Sequence, residues 1–183
     1  MSLRLKAVGL EKSYRGKKVV DGISVDFGKG EIVGLLGPNG AGKTTTFSMI
    51  IGLVPLDGGR IVLGDEDISD MPMYRRAQRG LSLLPQEPSA FRRLSVEDNL
   101  RAIQQTLPGP DARGGADIDA VLREFGLERL ARSKAYTLSG GERRRLEIAR
   151  AMLTRPEFVL LDEPFTGIDP LAIQDLQRII RGL

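Results

Sequence analysis

Residues Gly37-Pro38-Asn39-Gly40-Ala41-Gly42-Lys43-Thr44 follow the pattern G-x-x-x-x-G-K-[ST] in full. Each residue type has a chemical use. The glycines let backbone N–H groups curl around phosphate oxygens, and the N-terminus of a following helix adds positive potential. Lys43 can reach the β- and γ-phosphates of a nucleotide, and the Thr44 hydroxyl can ligate Mg²⁺, with Thr45 next in the same turn. The plainer alternative is a glycine turn leading into an ordinary helix.

Two further segments carry groups of the same kind. Leu160-Leu161-Asp162-Glu163 is an apolar run ending in two carboxylates. At the end of a strand in a parallel sheet, Asp162 can hold a Mg²⁺ shell and Glu163 can polarise an attacking water. A solvated strand end is the competing reading. In Leu138-Ser139-Gly140-Gly141-Glu142, Ser139 and Glu142 have the spacing of a capping box. Two glycines in a first helical turn cost roughly 1 kcal/mol each relative to Ala. A cap alone does not need them, whereas close approach of backbone to phosphate does. The chain has 183 residues with no His and no Cys. Imidazole bases, thiol nucleophiles and His- or Cys-liganded zinc are therefore excluded, which leaves carboxylates, Lys, Arg, hydroxyls and backbone amides.

These groups need elements to position them. Leu3 to Val8 and Val19 to Phe27 read as strands, the second with a turn signal at Asp21-Gly22. Ile32 to Leu36 is a short apolar run bounded by glycine, the pattern of a strand buried on both faces of a parallel sheet. A helix is expected over Lys43 to Ile51, and strands over Arg60 to Leu63, Leu81 to Leu84 and Phe158 to Leu161. Ser95 with Asp98 opens a helix running to about Thr106, Leu107 to Ala116 reads as a Pro/Gly-rich surface loop, and Asp117 to Leu130 is helical in pattern. Further helices are expected from Ser139 to about Thr154 and from Pro170, the latter with Leu176, Ile179 and Ile180 near one face. The result is an α/β chain with a small helical lobe inserted over 86–137.

Lys+Arg total 27 against Asp+Glu 24, a net charge of +3. No block of five like charges occurs, so a nucleic-acid tail is not expected. Arg92-Arg93 and Arg143-Arg144-Arg145 read as solvated loop and helix face. No apolar run approaches the ~18 residues of a membrane span, and the N-terminus lacks a signal-peptide core, so a cytosolic protein without direct membrane insertion is expected.

Taken together, the three motifs in this order resemble an ABC-type ATPase. That resemblance implies a P-loop (RecA-like) ATPase core with an N-terminal antiparallel β subdomain and an inserted α-helical subdomain. Within a single domain over 1–183, residues 1–85 are the β subdomain and P-loop core, 86–137 the helical lobe, and 138–183 the signature helix and the strand ending at Asp162. ATP and Mg²⁺ are the implied cofactors. Tyr14 lies where the family stacks an aromatic ring on adenine, although a Tyr that merely packs on the sheet would look the same. Gln86 lies where the family has the glutamine that senses Mg²⁺ and couples to the transporter, and Ser139-Gly140-Gly141 matches the signature that completes the ATP site of a second copy. Gly167-Ile168-Asp169 matches the loop that contacts the other subunit's P-loop. Phe91-Arg92-Arg93-Leu94-Ser95-Val96, Gly141-Glu142-Arg143-Arg144-Arg145 and Leu161-Asp162-Glu163-Pro164-Phe165 resemble the ATPase subunits of lipopolysaccharide-export transporters.

The implied partners are a second copy of the chain and transmembrane subunits docked through Gln86–Ser95, on the cytoplasmic face of the inner membrane. ATPases of branched-chain amino-acid importers share the architecture. Soluble ABC-type ATPases acting on DNA or ribosomes usually carry a long coiled coil or two cassettes, and no sustained heptads lie between Lys43 and Ser139. A regulatory module that binds nucleotide without turnover is a third class, and Glu163 argues against it for the parent protein, though not for this segment. The family also places a strand and a histidine after the Pro170 helix. The chain reads as a segment without them, expected to expose a sheet edge beside the P-loop strand and to bind and hydrolyse ATP poorly alone.

Overall fold

Alternating residues from Leu5 onward build a strand longer than the expected Leu3 to Val8: β1 runs Arg4–Tyr14 and pairs antiparallel with β2, Lys17–Gly28. The computed structural model describes residues 3–107 and 117–182. The surface loop expected over 107–116 therefore lies, beyond Leu107, outside the described residues. Contacts divide the chain into two units, Met1–Leu83 with Pro156–Asp162, and Leu84–Arg155 with Glu163–Leu183.

In the first unit, β3 (Gly58–Leu63) and β4 (Glu66–Asp67) complete a four-stranded sheet of order β2-β1-β3-β4. β1 buries Leu5 and Ala7, then Leu10 and Lys12. The buried set changes parity because the register slips between Ala7 and Leu10, where Gly9 has φ 59, the mark of a bulge. At the hairpin tip Arg15 and Gly16 have φ 50 and 78, the two left-handed residues that a two-residue turn with the native strand twist demands.

The helix expected over Lys43 to Ile51 is present as α1, Lys43–Ile51. Its buried residues Met49, Ile50 and Ile51 join Leu5, Leu10, Ile61 and Ile68 in one apolar core. Gly52, at φ 86, ends it. A second helix, α2 (Met73–Gln78), was not legible from periodicity at six residues. It delivers Arg76, 3% exposed, into the core. The guanidinium donates to Met49 O (2.8 Å), Ile50 O (2.7 Å), Ser69 O (2.7 Å) and Met71 O (2.7 Å). Two of these carbonyls belong to the last turn of α1, where helix geometry leaves few N–H partners and the dipole favours a cation; Met49 O also accepts from the Gly52 amide. Burial pushes the Arg76 guanidinium down from its ordinary pKa, with Asp70 and Asp67 opposing that shift. Arg76→Met should remove all four hydrogen bonds of the guanidinium, leaving Ile50 O without it, and cost about 3 kcal/mol. Urea unfolding at equilibrium reads this directly, and a loss below about 0.5 kcal/mol would contradict it.

The strands expected over Leu81 to Leu84 and Phe158 to Leu161 are β5 (Leu81–Leu84) and β6 (Phe158–Leu161), joined as a two-stranded sheet. The amides of Glu157 and Phe158 both donate to Gly80 O, and Phe158 meets Phe27 edge to face at 5.4 Å. The strand expected over Ile32 to Leu36 is not formed. Residues 31–36 carry no regular structure, and Ile32, Val33 and Leu36 are 74%, 52% and 93% exposed. An apolar run records a preference for burial, but a strand exists only where a neighbour completes its ladder. Among the described residues no strand pairs with this run.

In the second unit, Ser95 accepts from the Asp98 amide and caps α3, Val96–Gln104, as the Ser95/Asp98 spacing predicts. The helical pattern over Asp117 to Leu130 resolves into α4, Ile118–Glu124, and a short 3₁₀ turn at Glu128–Leu130. α5 (Gly140–Met152) and α6 (Pro170–Gly182) complete the unit. On α6 Leu176 is buried, and Ile179 and Ile180 are half-buried on the same stripe. No helix among the described residues is long and apolar enough to cross a membrane.

Candidate nucleotide site

The P-loop residues stand at the start of α1. Gly42 is the N-cap, left-handed at φ 83, and it caps without a side chain. The first turn of α1 carries no acidic residue, so its leading N–H groups keep their affinity for an anion. Gly37 through Ala41 are exposed, as is Thr44, while Thr45 is half-buried. Gly40 has φ 80. Lys43 folds back over the loop, its Nζ donating to Gly37 O at 2.7 Å and Pro38 O at 3.0 Å. Phosphate oxygens are stronger acceptors for that ammonium than carbonyls. Thr46, fully buried, anchors the turn by donating from Oγ1 and N to Gly42 O. Asp162 follows β6 and is 4% exposed. Tyr14, at the hairpin tip, is 45% exposed. A ring with that much free surface is not a core-packing tyrosine.

Glu163 and Gln86 are brought together in the second unit. Glu163 Oε2 accepts from Gln86 Nε2 at 2.9 Å and from Thr166 Oγ1 at 3.0 Å. Glu163 has φ 44, a left-handed conformation. For a non-glycine residue that costs on the order of 1–3 kcal/mol and is found mostly at functional positions. With its amide nitrogen turned to Glu163, Gln86 retains an amide oxygen able to ligate a hard cation. In the first unit, Thr44 and Asp162 carry hydroxyl and carboxylate oxygens, donor types that suit Mg²⁺. Among the described residues no cluster of three or more Asp or Glu offers another metal site.

Arg144 is the residue that sequence reasoning misjudged. Its run reads as a solvated helix face, yet Arg144 is 6% exposed. It donates to Pro85 O (2.8 Å), Pro164 O (3.1 Å) and Glu147 Oε2 (3.1 Å). It thereby holds the peptides next to Gln86 and Glu163. Glu147, itself buried, accepts from the amides of Ser89 and Ala90. One helical turn on, Arg150 lies 4.6 Å over the Phe91 ring and donates to Ser89 O. A buried ion pair is tolerated when further hydrogen bonds satisfy both partners, as here. The legible signal was Arg144-x-x-Glu147, an i,i+3 pair of opposite sign.

Ser139 forms the expected capping box: Ser139 Oγ accepts from the Glu142 amide, and Glu142 Oε2 from the Ser139 amide. The two glycines have different explanations. A Cβ on Gly141 would lie 2.7 Å from Ala172 Cβ of α6, so close helix packing requires that glycine. Gly140 is exposed, and beyond its own helix backbone an added Cβ there would meet only Gly167 O, at 3.4 Å. Packing thus gives Gly141 a reason of its own and gives Gly140 none.

Residues 20–166 match the ABC transporter family. A probable ABC transporter ATP-binding protein of Azorhizobium caulinodans is 56% identical over 179 residues, 98% of this chain and 64% of that protein. The lipopolysaccharide export system ATP-binding protein LptB of Escherichia coli K12 is 53% identical over 180 residues, 98% of this chain and 75% of LptB. The chain thus spans only part of these relatives, less than two thirds of the first. Among solved structures, the ADP conformation of an ATP-binding cassette of an ABC transporter superposes with a TM-score of 0.86 at 26% identity, covering 100% of this chain and 77% of that one. Tyr14 and Gly167-Ile168-Asp169 fall outside the family-matched residues. The chain belongs to the ABC transporter family.

Proposed function

We propose that this chain binds and hydrolyses Mg·ATP as the motor subunit of a transporter that exports lipopolysaccharide. The observation that carries hydrolysis is the Glu163 carboxylate, fixed in a strained turn by Gln86 and Thr166. The P-loop from Gly37 to Thr45 holds the phosphates through backbone N–H groups and Lys43. Mg²⁺ neutralises charge on the β- and γ-phosphates when bound. Thr44, Asp162 and Gln86 supply oxygens toward it. Glu163 takes a proton from water, and Tyr14 stacks on the base. Ser139-Gly140-Gly141 serves the nucleotide of a second copy of the chain.

The Gln86–Ser95 region is the proposed dock for transmembrane subunits at the cytoplasmic face of the inner membrane. Phe91 and Leu94 are 46% and 36% exposed there. Their loop is nonetheless rigid: buried Asn99 bonds both the N–H and the C=O of Phe91, and the Ala135 amide bonds Leu94 O. Exposed apolar residues on a fixed loop suit docking. The export reading rests on the 53% identity with LptB, the strongest support for a cargo. Reconstitution of the intact protein with membrane subunits of a lipopolysaccharide exporter tests it. Assembly, with ATP turnover and lipopolysaccharide release, is expected. Assembly with the membrane subunits of an amino-acid importer instead would overturn the cargo assignment.

A further inference from the structure

β1 is held along its β3 side only as far as Glu11, whose partner is Gly58. Beyond that point Ser13 and Tyr14 pair only with β2, at Lys18 and Lys17. The register also slips between Leu10 and Lys12 and again between Lys12 and Ser13. A twice-irregular, one-sided strand end should fray, yet it carries the tyrosine assigned to the base. Asp57 replaces the missing ladder. Its amide donates to Glu11 O at 3.0 Å, its Oδ1 accepts from Lys12 Nζ at 2.6 Å, and its Oδ2 from the Ser13 amide at 2.7 Å. One residue therefore grips three consecutive residues of β1. Lys12, only 8% exposed, extends this grip to the ring, with its Nζ 5.7 Å from the Tyr14 centroid.

We propose that Asp57 is a positioning residue for the nucleotide base, which fixes the bulged end of β1 and, through Lys12, the angle at which Tyr14 meets a purine. The proposal rests on Tyr14 being the stacking residue. The physical reason is that a bulge re-aims the side chains beyond it only if the bulge is itself held. A carboxylate serves better than a neutral acceptor because one of its partners is a largely desolvated ammonium. The Lys12 ammonium, and then the Ser13 amide, hold the Asp57 carboxyl below its ordinary pKa. For a carboxylate lowered in this way the grip is complete above the unfolded-state value. It is lost only as pH falls through the lower folded one, so it persists at neutral pH.

The test compares two probes on the full chain by calorimetry: Mg·ATP, which has a base, and Mg·tripolyphosphate, which has none. Asp57→Ala is expected to weaken ATP about fivefold or more and tripolyphosphate less than about twofold, as is Tyr14→Ala. Asp57→Asn keeps an acceptor for the Ser13 amide but loses the charge pair, and should fall between Asp57→Ala and the unaltered chain. If Asp57→Ala does not fold, Asp57→Asn decides alone: a selective loss for ATP supports the proposal, and unchanged ATP affinity overturns it. Equal weakening of both probes by Asp57→Ala would mean a merely structural role and overturn it. If Tyr14→Ala is selective for ATP and Asp57→Ala is without effect, positioning fails and stacking stands. If Tyr14→Ala is not selective, the stacking reading fails first and the proposal with it.

Discussion

Glu163→Gln should leave ATP binding intact and slow ATP turnover by about 10²–10³-fold. The substitution isolates proton chemistry from geometry. Glu163 Oε2 accepts two hydrogen bonds, from Gln86 Nε2 and Thr166 Oγ1, and the carbonyl oxygen of a glutamine can accept both. The turn at φ 44 strains either side chain equally. What disappears is the charge and the ability to take a proton from water. Single-turnover hydrolysis by the intact protein, beside an equilibrium measurement of ATP binding, separates the two effects. Turnover within about threefold of the unaltered protein would remove Glu163 from the base role.

Gly42→Ala should reduce ATP affinity by about tenfold or more and also lower stability. Two costs coincide at this position. The backbone sits at φ 83, where an L side chain is strained by roughly 1–3 kcal/mol. A Cβ would also lie 2.5 Å from Val19 O and 3.0 Å from Val20 Cγ2 of β2. The nearest obstacle is backbone in a paired strand, which cannot swing aside as a flexible side chain would. The loop must therefore move, and with it the first N–H groups of α1 and the base of Lys43. Calorimetric titration with Mg·ATP reads the loss. An affinity within about twofold of the unaltered chain would show that the close packing of Gly42 on β2 does not shape the phosphate cradle.

What was legible in the sequence follows from the range of the interactions involved. α1 begins and ends where glycines set left-handed caps, and α3 and α5 begin at Ser95 and Ser139, whose partners are three residues away. Such signals are local and survive without knowledge of the fold. The G-x-x-x-x-G-K-[ST] run and the Asp162-Glu163 pair stand out in the sequence because the chemistry proposed for them fixes spacing. The failures all depend on partners far along the chain. Ile32 to Leu36 reads as a buried strand, but pairing is not a property of the run itself. Arg144 reads as solvated because a triple-Arg run gives no hint that Pro85 and Pro164 offer it carbonyls. The glycine at 141 reads as a phosphate contact alone, and its packing against Ala172 of α6 was not legible. The pairing of Gln86 with Glu163, 77 positions apart, required the fold.

The central claim is that Gly37 to Thr45 form a nucleotide-binding P-loop whose ammonium, now resting on Gly37 O and Pro38 O, is free to take phosphate. Calorimetric binding of Mg·ATP to the chain and to Lys43→Ala tests this most directly. Saturable one-site binding, weakened about tenfold or more by Lys43→Ala, is the predicted result. No binding to the unaltered chain, or equal binding to both, would contradict it.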